Sequence, residues 1–300
     1  MKRAKFIINP TSGKQNFLKE IESLIGCLIM NRLVNHVDVF YTKKQFDARN
    51  EAKKLKEGEY DFVTAIGGDG TLNEVINGVY ESGSRIPVAV ISAGTVNDFA
   101  TFMHLPHGID EFCRMIREFK TKEIDIGRIN NEYFINVVAG GLWADVAYKV
   151  PKESKAVLGK MAYYVEGALD VPKQGFKTIK LSFDCEEYTS ENEDVLLFIV
   201  TNSGSVGGFR KLVPNASVND GLFDVIIFKR MDFGQFSSLA FKFMQGEHLK
   251  HECVQYFQTK KLTISCGEKG GIPIDYDGEM FGELPVNLEM IPRAVKLLML

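Results

Sequence analysis

Through the first 120 residues the hydrophobic positions follow two alternating rhythms. Mostly apolar runs at 5–8, 37–41, 62–66 and 87–91, interrupted only by Lys5, Asp38 and Thr64, have the length and β-branched content of buried strands. Between them, at 17–30, 46–56, 72–79 and 109–119, apolar residues recur every three or four positions, as on an amphipathic helix. Repeated strand–helix–strand units build a parallel sheet with helices on both faces. From residue 123 the rhythm changes. Runs at 133–138, 178–183, 195–201, 222–228, 260–265 and 286–290 read as strands, punctuated by the turn signals Asn130-Asn131, Asn219-Asp220-Gly221 and Asp277-Gly278. Helical stretches at 155–169 and 233–245 interrupt them. The pattern predicts an α/β domain over 1–125 and a β-rich domain over 126–300, an antiparallel sandwich or barrel with a few helices. The extreme C-terminal strand is free to pack back on the first domain.

A parallel α/β sheet binds its ligands at the carboxyl ends of its strands, and three unusual segments fall there. The third strand runs into Ile66-Gly67-Gly68-Asp69-Gly70-Thr71, and a helix pattern starts at Leu72. Strand, glycine turn and helix start form a phosphate cradle, with outward N–H groups at the positive end of a helix. Asp69 sits in that turn, where a carboxylate beside a polyphosphate calls for Mg²⁺ between them. Asn73 rules out the dinucleotide pattern Gly-x-Gly-x-x-Gly, and no Gly-Lys-Ser or Gly-Lys-Thr occurs. A plain structural turn is the competing reading. After the first strand comes Asn9-Pro10-Thr11-Ser12-Gly13-Lys14. Thr11 and Ser12 can cap the next helix, or join the N–H groups around Gly13 in binding a phosphate. After the fourth comes Ser92-Ala93-Gly94-Thr95-Val96-Asn97-Asp98, where Asp98 also suits a helix N-cap.

Two segments of the second half carry candidate chemistry. Between Pro214 and Asp224, the pair Asp220-Gly221 is an ordinary hairpin signal. The same carboxylate and its neighbouring carbonyls can wrap a hard cation. Ile274-Asp275-Tyr276-Asp277-Gly278-Glu279 is either a surface turn or a tight turn presenting Glu279 as a general base.

Composition narrows the classes. A chain of 300 residues, 45% hydrophobic, can bury a sizeable core. A net charge of −3 gives no global basic field for nucleic acid. The five cysteines are scattered without a Cys-x-x-Cys, which suits reduced thiols in a cytosolic protein. The first apolar run is too short for a signal peptide, and no stretch is long enough to span a membrane. A lipid acceptor would then be met at the membrane surface. Lys149, Lys152, Lys155 and Lys160, interleaved near Trp143, Val157, Leu158 and Met161, suit anionic headgroups or a solvated helix face.

Gly-Gly-Asp-Gly-Thr alone resembles the nucleotide loop of diacylglycerol and sphingosine kinases, NAD kinases and, more distantly, phosphofructokinases. It is joined by Asn-Pro-Thr-Ser-Gly at 9–13, Gly-Thr-x-Asn-Asp-Phe-Ala at 94–100, Asp-Ile-Gly at 125–127 and Asp-Gly-Glu at 277–279. Together these resemble the soluble diacylglycerol kinase catalytic-domain family, kin to sphingosine and ceramide kinases, over essentially the whole chain. One departure is mild: Ser92-Ala93 stands where the family commonly has Pro before its Gly-Thr pair.

The resemblance implies an α/β nucleotide domain like that of NAD kinase and phosphofructokinase, a β-rich lipid-substrate domain, and ATP in the cleft between them. It implies that Asn9, Pro10, Thr11, Ser12 and Gly13, with Ile66, Gly67, Gly68, Asp69, Gly70, Thr71 and Leu72, surround the phosphates. Thr42 and Thr95 also line the nucleotide site. Asp69 would hold the catalytic Mg²⁺ through water, and Glu279 would take the proton of the lipid hydroxyl. Ser217, Asp220 and Leu222 resemble a second, structural Mg²⁺ site built partly from main-chain oxygens. If Glu279 lies beside Asp277 in a partly buried cleft, repulsion would raise a carboxylate pKa and improve the base.

The implied reaction is Mg²⁺-dependent phosphorylation of a lipid hydroxyl by ATP. The default is diacylglycerol to phosphatidic acid, a step of phospholipid biosynthesis. Undecaprenol, phosphatidylglycerol, monoacylglycerol and sphingoid bases are alternative acceptors. An NAD kinase is the nearest other enzyme, and a non-catalytic lipid or nucleotide sensor the other class. Retention of Asp69, Asp220 and Glu279 together argues against the sensor. The expected setting is the cytoplasm, with peripheral visits to the inner face of the membrane. A homodimer is compatible with the sequence.

Overall fold

The computed structural model describes residues 1–12, 17–94, 96–106, 108–141, 178–267 and 271–300. The chain forms two compact units. The first contains Met1–Ile126, Val218–Asp220 and Ile291–Leu300; the second contains Gly127–Ser217 and Gly221–Met290.

In the first unit, β1 (Lys2–Ile8), β2 (Val34–Tyr41), β3 (Phe62–Gly67) and β4 (Val88–Ser92) alternate with helices. The helices are α1 (Phe17–Met30), α2 (Asp47–Ala52), α3 (Asp69–Ser82), α4 (Asp98–Phe102) and α5 (Ile109–Glu118). The end of β15 (Val286–Met299) completes the sheet, in the order β15-β4-β3-β1-β2, with every pairing parallel. β3 is buried at every position, which explains its mostly apolar run. Phe6, Phe62, Ile66, Phe112, Ile116 and Leu298 meet in one core.

Register is what positions the site. Ile8 pairs with both Tyr41 and Ile66, and Gly67 with Ser92. The carboxyl ends of β1, β2, β3 and β4 therefore finish level, and Asn9, Thr42, Gly68 and Ala93 emerge along one edge.

Two helices differ from expectation. The helix expected over 46–56 is only six residues long, because Phe46 enters it at φ +67° and the chain leaves at Lys53. Leu55 is still buried, so the apolar spacing continued through turns. The helix expected over 72–79 begins at Asp69 and runs to Ser82, with Gly68 as its N-cap. Asp69 is thus the first helical residue and does not lie within a free turn.

The second unit is antiparallel where its pairings are defined. Its strands include the end of β5 (Lys120–Ile129), β6 (Glu132–Phe134), β7 (Val137–Gly141), β8 (Ile179–Asp184) and β9 (Thr189–Thr201). β10 (Phe223–Lys229), β11 (Val254–Thr259), β12 (Lys261–Cys266), β13 (Pro273–Tyr276) and β14 (Glu279–Glu283) follow, with the start of β15. The order is β14-β13-β7-β9-β8-β12-β15, with β10 joining β9 to β11. Phe134, Phe183, Phe198, Phe223, Ile264 and Val286 fill its core. α6 (Phe233–Gln245) is opened by a capping box between Asp232 and Gln235 and leaves Phe233, Phe241 and Met244 exposed.

The strand expected over 133–138 is two strands, since residues 135 and 136 turn their N–H groups to Asp277. The strand expected over 286–290 continues to Met299. The helix expected over 155–169, and the lysine cluster beside Trp143, fall outside the described residues.

Candidate active site

Asn9 organises the edge of the parallel sheet. Its N–H donates to the Ile66 carbonyl at 2.9 Å, and its Nδ2 donates to Thr71 Oγ1 at 3.2 Å. Its Oδ1 accepts from Thr11 N at 3.1 Å and Thr11 Oγ1 at 2.8 Å, an Asx turn that folds the Pro10-Thr11-Ser12 segment back. The Ser12 N–H closes on the Asn9 carbonyl at 3.2 Å. Thr42 is anchored beside it through its N–H to the Ile8 carbonyl, 2.9 Å. Ile66 and Leu72 are buried, so what they offer at this edge is main chain.

The glycines are required by close approach. A Cβ on Gly67 would lie 2.6 Å from the Thr71 Cβ, and one on Gly94 would lie 2.7 Å from the Gly68 Cα. The two strand-to-helix connections thus nearly touch, leaving a small hollow bordered by Gly67, Gly68, Asp69, Ser92 and Asn97. Asp69 is half-buried at the N-terminus of α3, and its Oδ2 accepts the Asp98 N–H at 3.4 Å. Asp98 is the first residue of α4 and not its N-cap; that position is taken by Asn97, in the left-handed region at φ 51° and without a side-chain cap. Asn97 Nδ2 donates to the Gly94 carbonyl at 2.8 Å, while its buried Oδ1 has no hydrogen-bond partner among the described residues.

This donor set fits a hard cation and phosphate together. Helix-start N–H groups favour anionic oxygens. The Asp69 carboxylate and the orphaned Asn97 oxygen favour a cation. Gly13 and Thr95 fall outside the described residues.

Glu74, unmarked in the sequence reading, holds the neighbouring loop. Its carboxylate accepts the N–H groups of Phe46 at 2.9 Å, Ala48 at 3.0 Å and Arg49 at 3.4 Å. It ties α3 to the start of α2, downstream of Thr42.

The segment carrying Ser217, Asp220 and Leu222 is irregular, with Asp220 exposed and Gly221 at φ +77°. Asp125, fully buried, steadies the segment: its N–H donates to the Val218 carbonyl at 2.7 Å and its carboxylate accepts the Arg293 N–H at 2.6 Å. By residue type Ser217, Asp220 and Leu222 offer a hydroxyl, a carboxylate and main-chain oxygens, hard donors of the kind Mg²⁺ takes. Nearby Asp224 accepts from Tyr256 OH at 2.6 Å and from Gln258 Nε2 at 3.0 Å.

The acidic turn near the C-terminus sorts its carboxylates. Asp277 at φ 48° and Gly278 at φ 88° form the two-residue connection between β13 and β14. Asp275 accepts the Gly278 N–H at 3.1 Å. Asp277 accepts three main-chain N–H groups, from Ile135, Asn136 and Val137, at 2.7, 3.0 and 2.8 Å. Glu279 is the first residue of β14 and is exposed. The partly buried setting considered for Glu279 is not what the turn provides: Glu279 is exposed, while Asp277 is half-buried and accepts from the main chain. Beneath the turn, Asn136, Thr201, Asn202, Ser203 and Ser205 form a buried polar network that the sequence reading did not identify. Its one sequence signal is a polar run straight after the apolar end of β9.

Comparison with known proteins decides the family. Residues 3–129 match the model "Diacylglycerol kinase catalytic domain", and residues 136–299 match "YegS C-terminal NAD kinase beta sandwich-like domain". A diacylglycerol kinase of Staphylococcus epidermidis is 36% identical over 296 residues, covering 99% of this chain and 92% of that protein. The chain belongs to the diacylglycerol kinase family. A Staphylococcus aureus diacylglycerol kinase is also 36% identical, covering 98% of this chain and 91% of that protein. Among solved structures, a putative diacylglycerol kinase from Bacillus anthracis superposes with TM-score 0.82 at 23% identity, covering 99% of this chain and 95% of that one. An NAD kinase from Archaeoglobus fulgidus, solved with ATP, gives TM-score 0.53 at 12% identity, covering 99% and 93%. The diacylglycerol kinase family thus shares its two-part architecture with NAD kinases, as the resemblance implied.

Proposed function

We propose that this chain transfers the γ-phosphoryl group of ATP to the hydroxyl of diacylglycerol, yielding phosphatidic acid. The observation that carries the reading is the level edge of the parallel sheet. There Asn9, Thr71 and the facing glycines Gly68 and Gly94 frame the N-terminus of α3, with a carboxylate at its first position. Phosphoryl transfer needs positioning and charge neutralisation more than covalent help from the protein. Main-chain N–H groups at the start of α3 hold phosphate oxygens, with the Asn9–Gly13 segment beside them. Thr42 and Thr95 line the remainder of the nucleotide. Asp69 is the residue that holds Mg²⁺, which when bound neutralises phosphate charge. Glu279 accepts the proton of the lipid hydroxyl, a poor nucleophile without a base. Ser217, Asp220 and Leu222 hold a second, structural Mg²⁺.

Diacylglycerol as acceptor is supported by the full-length relatives bearing that kinase's name. A lipid acceptor also agrees with the exposed apolar side chains of α6. No helix among the described residues is long and apolar enough to cross a membrane. We therefore place the reaction at a membrane surface visited peripherally from the cytoplasm, in phospholipid biosynthesis.

The deciding assay supplies labelled ATP and Mg²⁺ with vesicles of diacylglycerol, with a total lipid extract and with NAD, and identifies products by mass spectrometry. Labelled phosphatidic acid supports the reading. A different phospholipid would move the acceptor, label in NADP would make the chain an NAD kinase, and no transfer at all would favour a sensor.

A further inference from the structure

Two cysteines that phosphoryl transfer does not use face each other in the first unit. Cys27 lies in the last turn of α1 and Cys113 in the first half of α5. Both are free thiols, and their sulfur atoms stand 3.2 Å apart. A disulfide bond is about 2.05 Å long, so closure asks for a sulfur displacement of roughly 1 Å, shared between two side chains.

Their surroundings differ. Cys27 is half-buried, and Asn31 Nδ2 donates to its sulfur at 3.3 Å. Cys113 is buried, and burial together with the Cys27 sulfur pushes its thiol up to about 12. Cys27 is thus the more accessible partner, and Cys113 is the buried thiol behind it. The other cysteines, Cys185, Cys253 and Cys266, belong to the second unit.

We propose that Cys27 and Cys113 are a redox modification site that hydrogen peroxide converts to a disulfide. The Cys27 thiolate attacks one peroxide oxygen. The O–O bond breaks, and the departing hydroxide takes up a proton as water, leaving Cys27 as the sulfenic acid. The Cys113 sulfur then attacks the Cys27 sulfur. The S–O bond breaks, and hydroxide leaves with the Cys113 proton as a second water. In sum two thiols lose two electrons and two protons, and one peroxide becomes two waters. A dithiol reductant reverses the bridge by exchange. The bridge would staple α1 to α5 and enclose β2, β3, α3 and β4, the part of the chain that carries Gly68, Asp69 and Gly94.

The experiment treats the purified full-length chain with hydrogen peroxide, counts thiols, and maps linkages by mass spectrometry of unreduced peptides. The expected result is loss of two thiols and a peptide pair joined through Cys27 and Cys113. A Tm rise of roughly 5 °C should accompany it, and dithiothreitol should reverse all three changes. Cys113→Ser should stop at a sulfenic acid on Cys27 that a dione probe traps, and Cys27→Ser should abolish the bridge. The site is overturned if wild-type protein keeps all its thiols, bridges through Cys185, Cys253 or Cys266, or carries Cys27 to the sulfinic acid without a bridge. None of these readouts depends on lipid kinase activity.

Discussion

The Asp277 carboxylate accepts the main-chain N–H of Ile135 at 2.7 Å. With the N–H groups of Asn136 and Val137 on the same carboxylate, this bond fixes the β6–β7 corner to the turn that starts β14. In the proposed reaction Asp277 is the support and Glu279 the base it presents. Glu279→Gln should therefore cut lipid kinase turnover by roughly 10²–10⁴-fold, with ATP binding and Tm close to wild type. Asp277→Asn should reduce turnover less and lower Tm as well, because an amide can accept through only one oxygen. A Glu279→Gln enzyme with near wild-type turnover would place the base elsewhere.

Asp69→Asn keeps the size of the side chain and an acceptor for the Asp98 N–H, but removes the charge at the head of α3. Phosphate transfer should vanish while the melting curve stays cooperative and near the wild-type midpoint. Turnover equal to wild type at low Mg²⁺ would remove Asp69 from cation binding.

Asp220 is exposed on a segment that Asp125 pins from behind. Adding Mg²⁺ should raise the wild-type Tm, and EDTA should return it. In Asp220→Ala the Mg²⁺-dependent rise should shrink, and activity should fall with it. An undiminished rise would show that the stabilising cation binds elsewhere.

A hydrogen bond from Arg49 holds the Glu81 carboxyl below the ordinary glutamate range, helped by Lys53 at 3.4 Å. A carboxyl depressed in the folded state contributes stability that is fully present above its unfolded pKa of about 4.3. That contribution is lost as pH falls through the folded value. Glu81→Gln should melt below wild type at pH 7, and the gap should close below about pH 4. A gap unchanged down to pH 3 would show that the ion pair is not its source.

Legibility in the sequence followed burial and punctuation. β3 stood out because both its faces are buried, and the glycines marked the cradle because a Cβ cannot fit there. Nothing local announced the end of α2, since Leu55 is buried with or without a helix. Glu74 was illegible for a related reason: its partners lie 25 to 28 residues away, so no short pattern contains them. β5 was missed because Lys120–Ile129 is mostly polar, and its fully buried Asp125 accepts a main-chain N–H from Arg293, far away in the sequence. The sequence singled out Glu279 in the acidic turn, but the task of Asp277 became visible only with the N–H groups of the β6–β7 corner.

β15 starts in one unit and ends in the other, where Leu297 pairs with Val88 of β4. During translation, residues 1–126 emerge long before residues 291–300 do. At roughly 5–20 residues per second, the interval is on the order of ten seconds or more. Throughout it the β4 edge lacks its neighbour and offers unpaired main-chain groups to any passing strand. The first half of the chain to be made is therefore the half whose sheet is finished last.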